Sequence, residues 1–311
     1  MAKTIKIWGV THGLIGDLIA GLPILTYLEK KYPGSYKYWG IERKCAFTAP
    51  IYLNHPLIDR IKIGDNWGTP GPYDDKLRSE CQVQLPQRME EITHSSADWW
   101  NHYSFVEETA ISRGIEDMKE VLSEDEMKPK LYKWFDVGFD HPHAHTYTKK
   151  NSIDLAQFEK NIAIWPFAQG EPGSGRNSRP GWWSNLIQLL GEAGYTVYHY
   201  GRNVEPVLSN LSHYRKLTHM SFFDQVKAAL ASKMVIGAET GPMWVMGAYS
   251  HPAIHLMTNY LPNHCKNFTC LVPVNDNGTN MFIKNNGNGW EGMNPRQVIE
   301  IVDAKVADSK A

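Results

Sequence analysis

The pattern of hydrophobic and polar positions indicates that strands and helices alternate from the start of the chain. TIKIWGV alternates and predicts a strand, and the predicted helix DLIAGLPILTYLEKKYP follows, with apolar positions three and four residues apart. Within that helix, Pro23 either introduces a kink or marks the true first turn. YKYWGIE predicts a second strand, and APIYLNHPLIDRIKIG predicts a short helix and a third strand. This βαβαβ order predicts a parallel, doubly wound sheet of the α/β class.

The second half of the chain repeats the same order, beginning near residue 160. Four strands are predicted there, in KNIAIWPFA, TVYHYG, MVIGAE and HPAIHLMT, with helices between and after them. We therefore expect two Rossmann-like domains, residues 1–155 and 156–311, facing each other across a cleft. Ligands of such sheets bind beyond the carboxyl ends of the strands. Whether the last helix packs back onto the N-terminal domain is left open.

Charge and composition restrict the partners only weakly. The chain has 311 residues and a formal net charge of -1, and neither half is strongly basic. Bulk charge therefore argues against a dedicated nucleic-acid domain, although a local basic groove stays compatible with it. The 11 Trp and 15 Tyr fit either an exposed aromatic surface for sugars or bases, or a core rich in aromatic rings.

The N-terminal sequence and the cysteines predict a cytoplasmic protein. MAKTIKIWGVTHG has no long apolar run of the signal-peptide kind, and no stretch reaches the roughly 18 apolar residues of a membrane span. The four cysteines form no C-x-x-C pair. HPHAHT places three histidines at alternate positions, which fits a metal site or, as we expect, a linker. Peripheral attachment at the inner membrane surface stays compatible with this pattern.

Two turns of the second half carry groups that suit phosphate oxygens. In GAETGPMWVMG a predicted strand ends and a helix begins at Thr240 and Gly241, where free N–H groups and a hydroxyl can bind an anion. Arg176 and Arg179 lie in the Gly-rich loop QGEPGSGRNSRP, and guanidinium groups pair well with phosphate. The alternative for each turn is a connection that binds nothing.

A third turn of the second half adds a carboxylate. In YHYGRNVEP, Glu205 follows a strand and could accept hydrogen bonds from ribose hydroxyls, or only face a helix dipole. Met220 could form an apolar wall for a base. Together the three turns predict a nucleoside-diphosphate site in the second domain.

The first half contributes one acid in a glycine-rich turn. In THGLIGDLIAGLPIL, Asp17 follows the first strand, and Gly13 and Gly16 keep the turn slim enough for a ligand to approach. His12 either contacts such a ligand or lines the turn. A carboxylate in this position can act as a general base toward a hydroxyl group.

These segments resemble the glycosyltransferases of the lipopolysaccharide heptosyltransferase type, glycosyltransferase family 9. GLIGDLIAGLPILTYLEKKYP is similar to that family's GDxxxxxPxLxxLxxxYP segment. RPGWWSNLIQLLGEAGYTVYHYGRNVE and HMSFFDQVKAALASKMVIGAETGPMWVMGAYSHPAIHLMT resemble its two later segments, in the same order. The resemblance covers residues 1–63 and 160–260. It implies the GT-B fold, with two Rossmann-like domains.

The resemblance also implies a reaction and the residues for it. The reaction is an inverting, metal-independent transfer of a sugar from a nucleotide-diphosphate sugar, without a cofactor, to a hydroxyl of a surface glycan or glycolipid. Asp17 occupies the position of the general base. The family's donor contacts fall on the following positions: Arg179, Glu205 and the backbone of Thr240, Gly241 and Met243.

Two departures from the family pattern bear on the donor. The acid of the family's DTG motif is Glu239 here, one methylene longer, and the histidine near the phosphates is replaced by Trp244. An indole in place of an imidazole changes the pocket around the donor phosphate or sugar. An ADP-linked heptose therefore cannot be assumed.

Other functions compete with this interpretation. One keeps the reaction but uses hydroxymethylated pyrimidines in DNA as acceptor, as viral GT-B enzymes do, which the bulk charge disfavours. Another is a non-catalytic nucleotide-binding module, in which Asp17 would have no role in turnover. A nicotinamide-dependent dehydrogenase is disfavoured because no complete G-x-G-x-x-G follows the first strand.

Overall fold

The computed structural model describes two compact units: the described residues up to 132 belong to the first, and the described residues from 155 to 308 belong to the second. The domain bounds 1–155 and 156–311 stay predictions. The described residues are 5–11, 15–20, 22–64, 83–84, 121–123, 125–126, 128–132, 155–158, 161–168, 177–238, 240–257, 280–284 and 289–308.

The first unit contains a parallel sheet with the order β3-β2-β1-β4. Its strands are β1 (Lys6–Thr11), β2 (Tyr36–Glu42), β3 (Arg60–Gly64) and β4 (Val83–Gln84). All the described pairings are parallel, and Lys6 lies opposite Tyr36 at the start of the β1–β2 ladder. The three strands predicted from the sequence are thus present, and β4 adds a short fourth.

The predicted first helix is divided at Pro23. It consists of α1 (Ile15–Ala20) and α2 (Pro23–Lys31), and Pro23 occupies the first position of α2. Proline fits there because its missing N–H would have no intrahelical partner and its φ is already helical. Of the two interpretations of Pro23, the true first turn is therefore correct. The segment predicted as a short helix before β3 overlaps only the end of a 3₁₀ stretch, Arg43–Tyr52, and continues in turns to β3.

The second unit contains a parallel sheet with the order β10-β9-β8-β5-β6-β7. Its strands are β5 (Ile162–Trp165), β6 (Val197–His199), β7 (Tyr214–Lys216), β8 (Met234–Ala238), β9 (Ala253–Met257) and β10 (Asn280–Lys284). Its helices are α3 (Pro180–Glu192), α4 (Phe222–Ala231), α5 (Gly241–Ala248) and α6 (Pro295–Asp308). The four predicted strands are β5, β6, β8 and β9, whereas β7 and β10 were not predicted.

The last helix, α6, packs within the second unit. Its residues Val298, Val302 and Val306 are buried in one cluster with Trp183 and other residues of α3. The phenol of Tyr195 donates to the Asp303 carboxylate of α6 at 3.3 Å. Helix α6 therefore packs against α3 in the core of the second unit, and its packing on the N-terminal domain stays a prediction.

The order of the second sheet places a topological switch point between β5 and β8. From β5 the chain continues outward through β6 to β7, and from β8 it continues outward through β9 to β10. Such sheets bind ligands in the crevice beyond the carboxyl ends of the two central strands. Here those ends are Trp165 and Ala238.

The amino-terminal half of α5 lies close against β8. A Cβ at Gly237 would come within 2.4 Å of the Met243 sulfur and 3.1 Å of the Trp165 carbonyl oxygen. Only glycine leaves room for this approach, so Gly237 fixes the start of α5 directly beyond the end of its own strand. Among the described residues, no helix has the length and apolarity needed to span a membrane.

Candidate functional site

Thr240 is the N-cap residue of α5 at the switch point. Its backbone is extended, with φ -132° and ψ 157°, and its carbonyl accepts from the N–H groups of Met243 at 3.1 Å and Trp244 at 3.4 Å. The side chain is 5% exposed, and its hydroxyl has no hydrogen-bond partner among the described residues. A buried hydroxyl without a partner is costly, so this group is suited to receive a hydrogen bond from, or give one to, a ligand.

The loop that leads into α3 is held at the carboxyl end of β5. The Asn177 amide accepts from the Ala168 N–H at 2.6 Å and donates to the Ala168 carbonyl at 3.4 Å. Arg179 follows as the exposed N-cap residue of α3, with its guanidinium group available to solvent. Arg179 is thus the N-cap residue of α3, near the end of β5. Thr240 is the N-cap residue of α5, directly after the end of β8.

Two further buried polar atoms belong to residues at the carboxyl end of β5 and at the end of the loop that leads into α3. Ser178 Oγ and Trp165 Nε1 are both buried and have no hydrogen-bond partner among the described residues. Trp165 ends β5, and Ser178 immediately precedes Arg179. Together with the Thr240 hydroxyl, these atoms form a set of unsatisfied donors and acceptors that belong to the carboxyl ends of β5 and β8.

Glu205 is buried and held by groups of its own unit. One carboxylate oxygen lies 2.9 Å from His199 Nε2, and the other accepts from the Arg202 N–H at 2.9 Å. The Arg202 Nε lies 3.7 Å from the second oxygen. A carboxylate has about four lone-pair positions, so two positions remain for further donors.

The Glu205 loop and the segment of Met220 are joined by one side chain of α4. The Gln225 amide oxygen accepts from the Gly201 N–H at 2.9 Å, and its NH₂ donates to the Gly201 carbonyl at 3.0 Å. The same NH₂ donates to the Met220 carbonyl at 2.9 Å. Gln225 thus ties the backbone of the Glu205 loop to the backbone at Met220. These are the predicted ribose contact and the predicted apolar wall for the base.

Two other predicted donor residues are buried in α5. Met243 is fully buried beneath Gly237, and the indole of Trp244 is 5% exposed. The Met243 N–H already donates to Thr240. Gly241 begins the helix at the half-exposed surface of this turn.

The acid turn of the first unit is described only in part. Gly16 and Asp17 lie in α1, which directly follows β1, an inner strand of that sheet. The side chain of Asp17 and the residues His12, Gly13, Arg176 and Glu239 lie outside the described residues. So does HPHAHT, and the described part of the chain holds no group of three or more His, Cys, Asp or Glu placed to bind a metal ion.

Three residues that shape this site were not predicted from the sequence: His199, Tyr214 and Gln225. For His199 a signal was present in TVYHYG. His199 lies two residues after Val197 and therefore on the same face of the strand, which is buried. For Tyr214 no signal was available, since its contact with His199 depends on the pairing of β6 with β7. Gln225 is a polar residue on the apolar side of α4, which is a weak signal for a buried hydrogen-bonding role.

Solved glycosyltransferase structures share this architecture over nearly the whole chain. The ADP-heptose LPS heptosyltransferase II of E. coli has a TM-score of 0.66 at 16% identity, covering 99% of this chain and 100% of that one. A glycosyl transferase family 9 protein from Veillonella parvula has a TM-score of 0.60 at 14% identity, covering 98% of each chain. The chain has the fold of the heptosyltransferases. The predicted α/β, GT-B fold class is confirmed by this likeness.

A third similar structure is of a heptosyltransferase with a nucleotide. E. coli heptosyltransferase WaaC with ADP has a TM-score of 0.57 at 14% identity, covering 97% of this chain and 98% of that one. No protein-family model matches the sequence, and no curated protein sequence matches it. At these identities the likeness establishes the fold, and the activity has to be argued from the residues.

Proposed function

We propose that this protein is a glycosyltransferase that moves a sugar from a nucleotide-diphosphate sugar to an acceptor hydroxyl. The observation that carries the proposal is the buried, unpartnered hydroxyl of Thr240 at the start of α5, beyond the end of β8. A helix start with an unsatisfied donor at a switch point is suited to an anionic ligand such as a diphosphate. The GT-B fold makes a nucleotide-sugar donor the natural occupant.

The second unit would hold the donor at the carboxyl ends of β5 and β8. Thr240 and Gly241 would bind the diphosphate at the start of α5, with Arg176, Arg179 and Glu239 contributing from the adjoining loops. Glu205 would accept ribose hydroxyls through its two remaining lone-pair positions. Met220 would face the base, and Met243 and Trp244 would support the turn from the buried side.

The first unit would supply the base. In the proposed reaction, Asp17 accepts the proton of the acceptor hydroxyl while its oxygen attacks the anomeric carbon. The bond from that carbon to the diphosphate breaks, and its electron pair leaves with the diphosphate, so the anomeric configuration inverts. The growing charge on the leaving group would be stabilised by Arg179 and the start of α5, without a metal ion. His12, Gly13 and Gly16 would border the acceptor.

We propose a surface glycan or glycolipid as the acceptor. The resemblance of residues 1–63 to the heptosyltransferases supports this choice. A hydroxymethylated pyrimidine in DNA is disfavoured, because the formal net charge is -1 and DNA binding requires neutralisation of phosphates by Lys or Arg.

The substitution Thr240→Val tests the donor site, because it removes the hydroxyl and keeps the shape. The affinity for a nucleoside diphosphate should fall about tenfold, the effect of one hydrogen bond to a charged group. The free energy of unfolding without ligand should stay within about 0.5 kcal/mol of wild type, since the lost hydroxyl has no partner there. Calorimetric titration and urea unfolding measure the two quantities.

Ser232→Ala is the matched control for a buried hydroxyl at the opposite end of β8. Ser232 Oγ donates to the carbonyls of Ala229 and Met234, so its removal should cost about 1 kcal/mol of stability and leave nucleotide affinity unchanged. If Thr240→Val behaves like this control, with lower stability and full affinity, the Thr240 hydroxyl is structural and the donor site is misplaced.

A further inference from the structure

A buried chain of hydrogen bonds leads from β7 to the Glu205 carboxylate. The Leu208 N–H donates to the Tyr214 hydroxyl oxygen at 3.3 Å, and that oxygen lies 2.7 Å from His199 Nδ1. On the other side of the ring, His199 Nε2 lies 2.9 Å from Glu205 Oε2. All three side chains, His199, Tyr214 and Glu205, are buried.

The chain of bonds has one direction that satisfies every member. The Tyr214 oxygen accepts from Leu208, so its single proton is available for His199 Nδ1. The ring then carries its own proton on Nε2, which donates to the Glu205 carboxylate. Burial lowers the pKa of His199, with the Glu205 carboxylate acting in the opposite direction, and this favours the neutral ring that the chain requires.

The opposite side of Glu205 is closed as well. Gly201 has φ +147°, and a Cβ at this position would lie 2.3 Å from Glu205 Oε2. The carboxylate therefore rests on the backbone of Gly201, where no other residue fits. With Arg202 N–H on its second oxygen, the carboxylate has one orientation.

We propose that His199 and Tyr214 are positioning residues, which hold the Glu205 carboxylate in the orientation that accepts from the ribose hydroxyls of the donor. The inference rests on the proposed function, because it assigns a role to residues behind the proposed ribose contact. Neither residue touches the donor. The Glu205 carboxylate can only accept, so the His199 proton stays on Nε2, and Tyr214 holds the ring by donating to Nδ1.

The test compares ligands that differ only in the ribose hydroxyls. The diphosphates of adenosine, guanosine, uridine and cytidine are first titrated into wild-type protein, and the tightest one is paired with its 2′,3′-dideoxy analogue. Wild type should bind the ribonucleotide about tenfold more tightly than the analogue. In His199→Leu this preference should shrink to about twofold, with the affinity for the analogue unchanged.

Tyr214→Phe provides the milder second variant, since it removes only the hydroxyl. Its preference for the ribonucleotide should also decrease, and the ¹⁵N chemical shift of His199 Nδ1 should change because this nitrogen loses its hydrogen bond from Tyr214. Tyr198→Phe is the control, because Tyr198 is the residue before His199 on the other face of β6 and packs its ring on Phe158. That control should keep the wild-type preference.

The outcomes separate this inference from the function on which it rests. If wild type binds none of the four diphosphates, the donor site itself is refuted. If wild type binds a ribonucleotide and its dideoxy analogue equally, the donor site stands and the role of Glu205 and its two supports is overturned. Equal weakening of both ligands in His199→Leu and Tyr214→Phe would show that the chain of bonds only stabilises the loop. If His199→Leu fails to fold, the ribonucleotide preference of Tyr214→Phe alone decides whether the two residues position Glu205.

Discussion

Asp17→Asn is expected to lower kcat by about 10²- to 10⁴-fold, the usual contribution of a general base. The amide keeps the size and polarity of the side chain but cannot accept the proton of the acceptor hydroxyl. The Kd of the nucleoside diphosphate should stay within about twofold, because the proposed donor contacts all lie in the second unit. Rates of nucleoside-diphosphate release in the presence of a glycolipid acceptor, together with calorimetric titration, measure both effects.

Asp303→Asn serves as the matched control for the loss of one carboxylate. Asp303 lies on α6 and contacts the Tyr195 hydroxyl, and its removal should leave turnover unchanged. If Asp17→Asn turns over at a rate near that of wild type, the general base is another residue. If it abolishes donor binding together with turnover, Asp17 belongs to the donor site instead of the acceptor side.

Trp183→Ala is expected to reduce the free energy of unfolding by about 3–5 kcal/mol, the range for a large buried aromatic side chain. Trp183 is 0% exposed and belongs to the core cluster under α3 and α6. Its ring lies 5.0 Å from that of Trp182 and 6.0 Å from that of Trp290, measured between centroids. Removing it would leave a cavity between a helix and the sheet that its neighbours cannot fill.

Gln188→Ala is the control on the same helix. Gln188 is exposed and hydrogen-bonds Glu192 one turn later, so its removal should change the free energy of unfolding by no more than about 0.5 kcal/mol. Urea denaturation followed by tryptophan fluorescence and by circular dichroism measures both variants. A loss below about 1 kcal/mol for Trp183→Ala would mean that this cluster does not support the second unit.

The tryptophan-rich composition illustrates what sequence alone leaves undecided. From residue counts, an exposed aromatic surface and an aromatic core were both possible. In the described part of the chain, Trp39, Trp165 and Trp183 are among the largest fully buried side chains, which favours the core for these positions. Composition cannot make this distinction, because burial depends on which face of an element each ring occupies.

The elements that were predicted correctly have strong local signals. The strands β5 and β8 are continuous apolar runs and β9 is apolar except for His255, and all three are fully buried, as expected for the centre of a parallel sheet. The missed strand β7 has only three residues, and one of them is exposed. Such a short edge strand has too few residues to show a period, and its existence depends on pairing with β6.

In the site, too, features set by local sequence were predictable and features set by long-range packing were not. The turn at Thr240 was predictable, because a strand, a Gly-Pro pair and an apolar helix follow one another directly in the sequence. The unpartnered state of its hydroxyl was not, since that depends on the packing of α5 against β8. Likewise, the supports of Glu205 come from β6 and β7, which meet it only after the sheet has formed.

A thermal-shift titration of the wild-type protein with nucleoside diphosphates tests the central claim most directly. The account predicts that at least one of the four common ribonucleoside diphosphates stabilises the protein. At one hundred times its Kd, the ligand should add about 2.7 kcal/mol to the free energy of unfolding. If none of the four changes the melting temperature at millimolar concentration, the protein does not have the proposed donor site, and the account is contradicted.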